Sequence, residues 1–155
     1  MQKTISSEAG SIKGGVFSHA TNVVSAQIGE WADRKGFRDD WKLADMLEQL
    51  AEEYPEIDIE EGRMILFDAA RAIRINVVGM KLMLMVSELA EGLETLRDVG
   101  VEGIQNGEGN YGEELADAMI RLMDNAHMLG LPVGEEIIKK IAVNENRPHK
   151  HGRKA

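Results

Sequence analysis

The chain has 155 residues, no cysteine and a formal net charge of −9. That length suits a single domain that buries roughly two thirds of its unfolded surface. Without cysteine, disulfides and thiolate metal sites are excluded and a reducing compartment is expected. The acidic balance disfavours wrapping nucleic acid, whose affinity comes largely from phosphate neutralisation.

Residues 1–20 are rich in Gly and Ser, and the sequence predicts a loosely ordered segment there. MQKTISSEAGSIKGG has no continuous apolar core, so no signal peptide is expected. The longer apolar stretches meet charges well before the about 20 residues of a bilayer span. The expectation is a cytoplasmic protein that neither enters a membrane nor binds nucleic acid.

A helical domain is expected over residues 21–147. Its first helix, Asn22 to Lys35, places Val24, Ile28 and Trp31 on one side, with Gly36 as its stop. The second, Asp39 to Tyr54, aligns Leu43, Met46, Leu47 and Leu50 before the break at Pro55. Residues 63–78 carry Ile65, Leu66, Ala69, Ile73 and Val77 at spacings of three and four. Gly79 is expected to kink or end this element, which leaves its continuity with the next helix open.

The helix from Met80 to Arg97 has Leu82, Val86, Leu89, Leu93 and Leu96 as its expected core stripe. Glu88 and Glu91 point away from that stripe but are flanked by Leu84 and Thr95. A loop, DVGVEGIQNGEGNYG, leads to the helix Glu113 to Met128. There Leu115, Met119, Leu122 and Ala126 are expected inward, opposite Glu114, Asp117, Arg121 and Asp124. Gly130 closes it, and Pro132 precedes the last helix, Gly134 to Asn146. The fold class is all-α, an antiparallel helical bundle.

Two acidic pairs stand out, Glu88-x-x-Glu91 and Glu114-x-x-Asp117. Each puts two carboxylates one turn apart on one helix face, and four converging carboxylates form a hard oxygen cage suited to Mg²⁺ or Mn²⁺. Among 27 acids either pair alone is most often a solvated face. Together they demand more, because clustered like charges repel unless a cation neutralises them. A di-iron centre of the Glu-x-x-His kind is disfavoured, since neither helix has His three residues after the relevant Glu.

The tail is basic: residues 139–155 carry six basic groups against Glu145, which leaves −14 for residues 1–138. Asp124, two turns beyond Asp117, is a candidate additional metal ligand or supporting group. Trp31, Asn110 and Tyr111 are candidates to border a base pocket. Lys81 and His127 read as a solvated charge and a packed or surface histidine. The apolar content around Met80 to Met85 exceeds what one neighbouring helix needs, so an oligomer is expected.

MVSELAEGLETLRD followed by NYGEELADAMIRLMDNAHMLGLPVGEEIIKKIAVNENRPHKHG resembles the MazG-like, all-alpha nucleoside triphosphate pyrophosphohydrolases. The family pattern is an E-x-x-E helix, an E-x-x-D helix and a K-x-x-x-N-x-x-R stretch closed by Pro and His-Gly. Here Lys140, Asn144 and Arg147 match the last element, with Pro148 and His151-Gly152 after them. Residues 81–155 carry the likeness well and 24–37 weakly, while 38–76 are longer than the family connection. The resemblance implies hydrolysis of a nucleoside triphosphate to monophosphate and pyrophosphate, with dUTP or phosphoribosyl-ATP as alternative substrates. It also implies Mg²⁺ held by Glu88, Glu91, Glu114 and Asp117, with Glu91 favoured as the water-activating residue. Lys140, Asn144 and Arg147 would bind phosphate, the basic tail 148–155 would contribute, and the protein would be a homodimer or homotetramer. A non-catalytic helical interaction or regulatory protein is the competing reading.

Overall fold

A computed structural model describes residues 7–54 and 60–147, and all regular structure among them is helical. The helices are α1 (Ser7–Arg34), α2 (Asp39–Glu53), α3 (Glu60–Gln105), α4 (Tyr111–Met128) and α5 (Val133–Glu145). No described helix is long and apolar enough to cross a membrane. The basic tail 148–155 lies outside the described residues.

Part of the segment expected to be loose is helical, because α1 begins at Ser7. Tertiary contact accompanies this: α5 packs on α1, with Ile138 facing Gly14 at a distance that would put a Cβ there in ordinary van der Waals contact, 3.6 Å. At its other end α1 stops where expected, at Gly36 with φ +78°. Gly79 neither kinks nor ends its helix, and residues 63–97 form one continuous rod within α3. The break comes at Gly100, whose φ of 70° and ψ of 176° leave helical space. Helix then resumes to Gln105, so the expected long loop shrinks to Asn106–Asn110.

Constant pairing sums show which helices are antiparallel. Along α3 and α4, Thr95 meets Asn110, Glu88 meets Arg121 and Lys81 meets Asp124. Along α2 and α3, the Arg63 guanidinium donates to the Ala51 carbonyl at 3.0 Å, and Arg74 reaches Asp45 and Glu48. Residues 38–76 therefore build an added antiparallel pair on the first half of α3. Helix α4 lies between α3 and α1, and α5 continues along the N-terminal half of α1. Asn22 fastens that last contact by accepting from the Gly134 N–H at 3.1 Å and donating to Glu135 at 2.7 Å.

The faces that meet are not the apolar ones. Among the described residues the buried apolar ones are Ala32, Ala44, Ala51, Ala70, Val77 and Ala126, and no large side chain is fully buried. On α2, Ala44 and Ala51 turn inward while Leu43, Met46 and Leu50 are exposed. On α3, Leu82, Val86, Leu89 and Leu93, expected as the core stripe, are 43–54% exposed. On α4, Leu115, Met119 and Leu122 are exposed while Glu114 and Asp124 are buried. Ala126 is buried as expected, but for these leucines, Val86, Met119 and the two acids the expected inside and outside are exchanged. The periodicity locates an apolar stripe correctly but does not say whether this chain covers it.

Candidate metal centre and adjoining cavity

The α3–α4 seam is polar because both helices turn their acidic faces to it. One carboxylate oxygen from each of Glu88, Glu91 and Glu114 lies within 4.8 Å of the others. Glu88 and Glu114 are buried and Glu91 is exposed. Gly92 faces this part of α4, and a Cβ there would lie in ordinary van der Waals contact, 3.6 Å from the Glu114 Cβ and 3.7 Å from the Tyr111 ring. Asp117, the fourth expected ligand, is not among the three that converge. It sits one turn further along α4 on the wall of the neighbouring cavity.

Repulsion within the cluster shows in Glu114, whose carboxyl is pushed above its ordinary pKa. Loss of hydration is the largest cause, followed by the charges of Glu91 and Glu88, a hydrogen bond to Glu88, and the charge of Asp117. Two partners hold the cluster together. Arg121 donates to Glu88 from Nε at 2.7 Å, and Asn110 donates to Glu114 while accepting from Thr95 Oγ1 at 2.6 Å. Sequence spacing did not reveal Arg121 as the counter-ion of Glu88, since the two come from different helices.

Hard carboxylate oxygens, close mutual placement and a buried member resisting ionisation match the donor chemistry of a small divalent cation. Asp124 does not belong to this set. It is held by Arg38 at 2.9 Å and Lys81 at 2.5 Å, with all three side chains at most 15% exposed. Two cations satisfy its oxygens, so its candidacy as a further ligand is not supported. Lys81, read as a solvated charge, is largely shielded in its pair with Asp124. Arg38 was not singled out, although it directly follows the turn at Gly36-Phe37.

Beside the cluster lies a cavity of about 430 Å³ between the end of α1, the start of α2, and the middle of α3 and α4. Trp31, Phe37, Met80, Leu84 and Ile120 supply apolar wall, and Asp117 and Arg121 form the border toward the cluster. Trp31 and Phe37 are tilted at 51° with ring centroids 5.6 Å apart. Of the three base-pocket candidates, Trp31 lines this cavity. Asn110 and Tyr111 instead stand at the start of α4, against Thr95 and Gly92. Trp41 lies beneath the Arg74 guanidinium at 5.3 Å, and His127 packs over Gly29.

The residues expected to form a phosphate clamp lie on and just beyond α5. Lys140, Asn144 and Arg147 are exposed at or just beyond the last turns of α5. Because Gly134 abuts Ser18 and Ile138 abuts Gly14, α5 runs toward the N-terminal end of α1. The cavity is at the other end, roughly 25 Å away at about 1.5 Å per residue between Gly14 and Trp31. Among the described residues no hydrogen bond or ion pair joins Lys140, Asn144 or Arg147 to Glu88, Glu91 or Glu114. Comparison of the chain with family models, curated proteins and solved structures returns no match, so the functional reading rests on the residues themselves.

Proposed function

We propose that this protein hydrolyses a nucleoside triphosphate between its alpha and beta phosphorus atoms, releasing nucleoside monophosphate and pyrophosphate with the help of Mg²⁺ or Mn²⁺. The observation that carries the reading is the convergence of Glu88, Glu91 and Glu114 within 4.8 Å beside a cavity walled by Trp31 and Phe37. The motif spacing and its resemblance to MazG-like enzymes select this chemistry from other uses of a carboxylate cluster. The cavity's about 430 Å³ falls within the roughly 300–1,000 Å³ typical of small-molecule sites.

In this reading Glu88, Glu91 and Glu114 hold the cation, and Asp117 joins them from the cavity wall. A bound Mg²⁺ supplies charge withdrawal from the phosphate oxygens. Glu91 is the exposed member of the cluster and orients the attacking water or takes its proton. Arg121 neutralises phosphate charge beside Glu88, with the fixed fork that suits phosphate oxygens. Trp31 and Phe37 offer aromatic surface to the base. Lys140, Asn144 and Arg147 act on phosphate only if assembly brings α5 to a cluster. dUTP and phosphoribosyl-ATP are variants of the same chemistry.

A panel of ribo- and deoxynucleoside triphosphates and phosphoribosyl-ATP, assayed with Mg²⁺ and with Mn²⁺, tests this. Pyrophosphate and the monophosphate should appear in equal amounts. Orthophosphate without pyrophosphate, or no turnover with either metal, defeats the proposal. The competing reading, a helical interaction protein, draws on the large exposed apolar surface. It expects neither product.

A further inference from the structure

We propose that Lys81 makes the cavity selective for a ring with a carbonyl oxygen at the edge far from its sugar, so that uracil, hypoxanthine or guanine is preferred to cytosine or adenine. This rests on the nucleotide reading only for the orientation, phosphate at the acidic cluster and base in the cavity. Lys81 stands seven residues before Glu88 on α3, and Asp124 seven beyond Asp117 on α4. Both line the cavity. Seven residues are about 10 Å of helix rise, which sets the pair at the end of the cavity away from the cluster. Leu84 and Ile120 lie between, and with Trp31 and Phe37 they give apolar surface to the faces of a ring.

The polar end of this slot is a donor. Lys81 Nζ donates to Asp124 Oδ2 at 2.5 Å, and Arg38 donates to Asp124 Oδ1 at 2.9 Å, so each carboxylate oxygen already carries a cation. Among the described residues Asp124 is the only partner of Lys81, which leaves the ammonium two further N–H groups to offer. The Lys81 side chain is 13% exposed and pinned by the carboxylate, so little freedom is lost when a ligand pairs with it. Beside apolar walls, an ammonium hydrogen left without an acceptor is costly. A carbonyl oxygen satisfies it, whereas the amino group at the same position of cytosine or adenine turns its own hydrogens toward the cation. An anion is the poorer occupant, because Asp39, Asp40, Asp117 and Asp124 outnumber Lys81 and Arg121 along the wall.

Free nucleosides test this without metal or phosphate. Dissociation constants on the full chain in chelator, from saturation-transfer NMR, should be lower by about tenfold or more for uridine than for cytidine, and for inosine than for adenosine. Absence of that preference in either pair, or no binding of any of the four at roughly 10 mM, overturns the inference. Lys81→Met removes the ammonium and should bring both ratios close to one. A preference that persists in this variant, with its helical circular dichroism unchanged, overturns the assignment to Lys81. Should Lys81→Met lose its helix signal, the Lys81 ammonium resonance of the natural chain decides. It should shift with uridine and stay in place with cytidine, and no shift with uridine or the same shift with both overturns the inference. The result is separable from hydrolysis: pyrophosphate release without base preference defeats the role of Lys81 and spares the activity, whereas nucleoside preference without hydrolysis does the reverse.

Discussion

Arg121 contacts a single oxygen of Glu88 across the α3–α4 seam, at 2.7 Å from Nε and 2.5 Å from Nη2, which leaves the other Glu88 oxygen free of that pair. The guanidinium therefore balances the acidic cluster without using all of its donor capacity. Replacing Arg121 with Ala removes the one arginine paired to the cluster among the described residues, and Glu88 stays buried. The variant should lose about 1–2 kcal/mol in chelator, a value discounted from a fully buried pair because Arg121 is 38% exposed. Added Mg²⁺ should raise its melting temperature by more than it raises that of the natural chain. Thermal denaturation with and without Mg²⁺ measures both, and equal metal shifts contradict the assignment.

Glu91→Gln keeps size and hydrogen bonding but removes the charge of the exposed cluster member. Pyrophosphate release should fall by two or more orders of magnitude, in line with loss of a general base. Circular dichroism should be unchanged. Hydrolysis at the natural rate removes Glu91 from the catalytic assignment.

Glu114 gives a pH dependence of definite sign. Its folded pKa is raised above the ordinary carboxylate value, so the folded state holds the proton more tightly than the unfolded chain does. In chelator, stability should decline as pH rises from the ordinary Glu range through the raised pKa, and Glu114→Gln should flatten that decline. Saturating Mg²⁺ should also flatten it by compensating the charge. Urea midpoints from pH 4 to 8 provide the test, and an identical slope in the variant rules out Glu114 as its source.

Asp124 offers a contrast with the cluster. In Asp124→Asn, Arg38 and Lys81 lose their common anion while remaining at most 15% exposed. The expected cost is about 3 kcal/mol. Mg²⁺ affinity, read by isothermal titration under conditions where the variant is folded, should be unchanged. A large loss of metal affinity would restore Asp124 to the ligand set.

The α1–α5 contact is sterically tight at one point. A Cβ on Gly134 would come 2.5 Å from the Ser18 carbonyl oxygen and 2.6 Å from its Cα, which are backbone atoms with little room to move. Gly134→Ala should push α5 off α1 at a cost of about 1–3 kcal/mol. Hydrogen exchange should quicken in α5 and remain slow in the α3–α4 hairpin. Uniform exchange across both would show that α5 docking supports the whole fold.

Much of this was legible in the residues. Gly36 and Gly130 end α1 and α4 where their positions in the sequence predict, and the E-x-x-E and E-x-x-D pairs fall on facing helices. The partners of Asp124 were not legible, because Arg38 and Lys81 come from the α1–α2 turn and from α3. The clamp Lys140, Asn144 and Arg147 was read by its order along the chain. Its placement depends on which half of α1 accepts α5, and there Gly134 meets the Ser18 backbone too closely for a Cβ.

By itself the sequence determined the helices, their stripes, and the presence of four carboxylates at one-turn spacing. Only the tertiary structure decided that α3 and α4 meet through their acidic sides and turn Leu89 and Met119 outward. The reason is geometric: a period of 3.6 residues fixes the angle between the polar and apolar faces of a helix, and every partner arrangement preserves that angle. Which face is covered depends on the neighbours available, and those come from distant parts of the chain or from another copy of it.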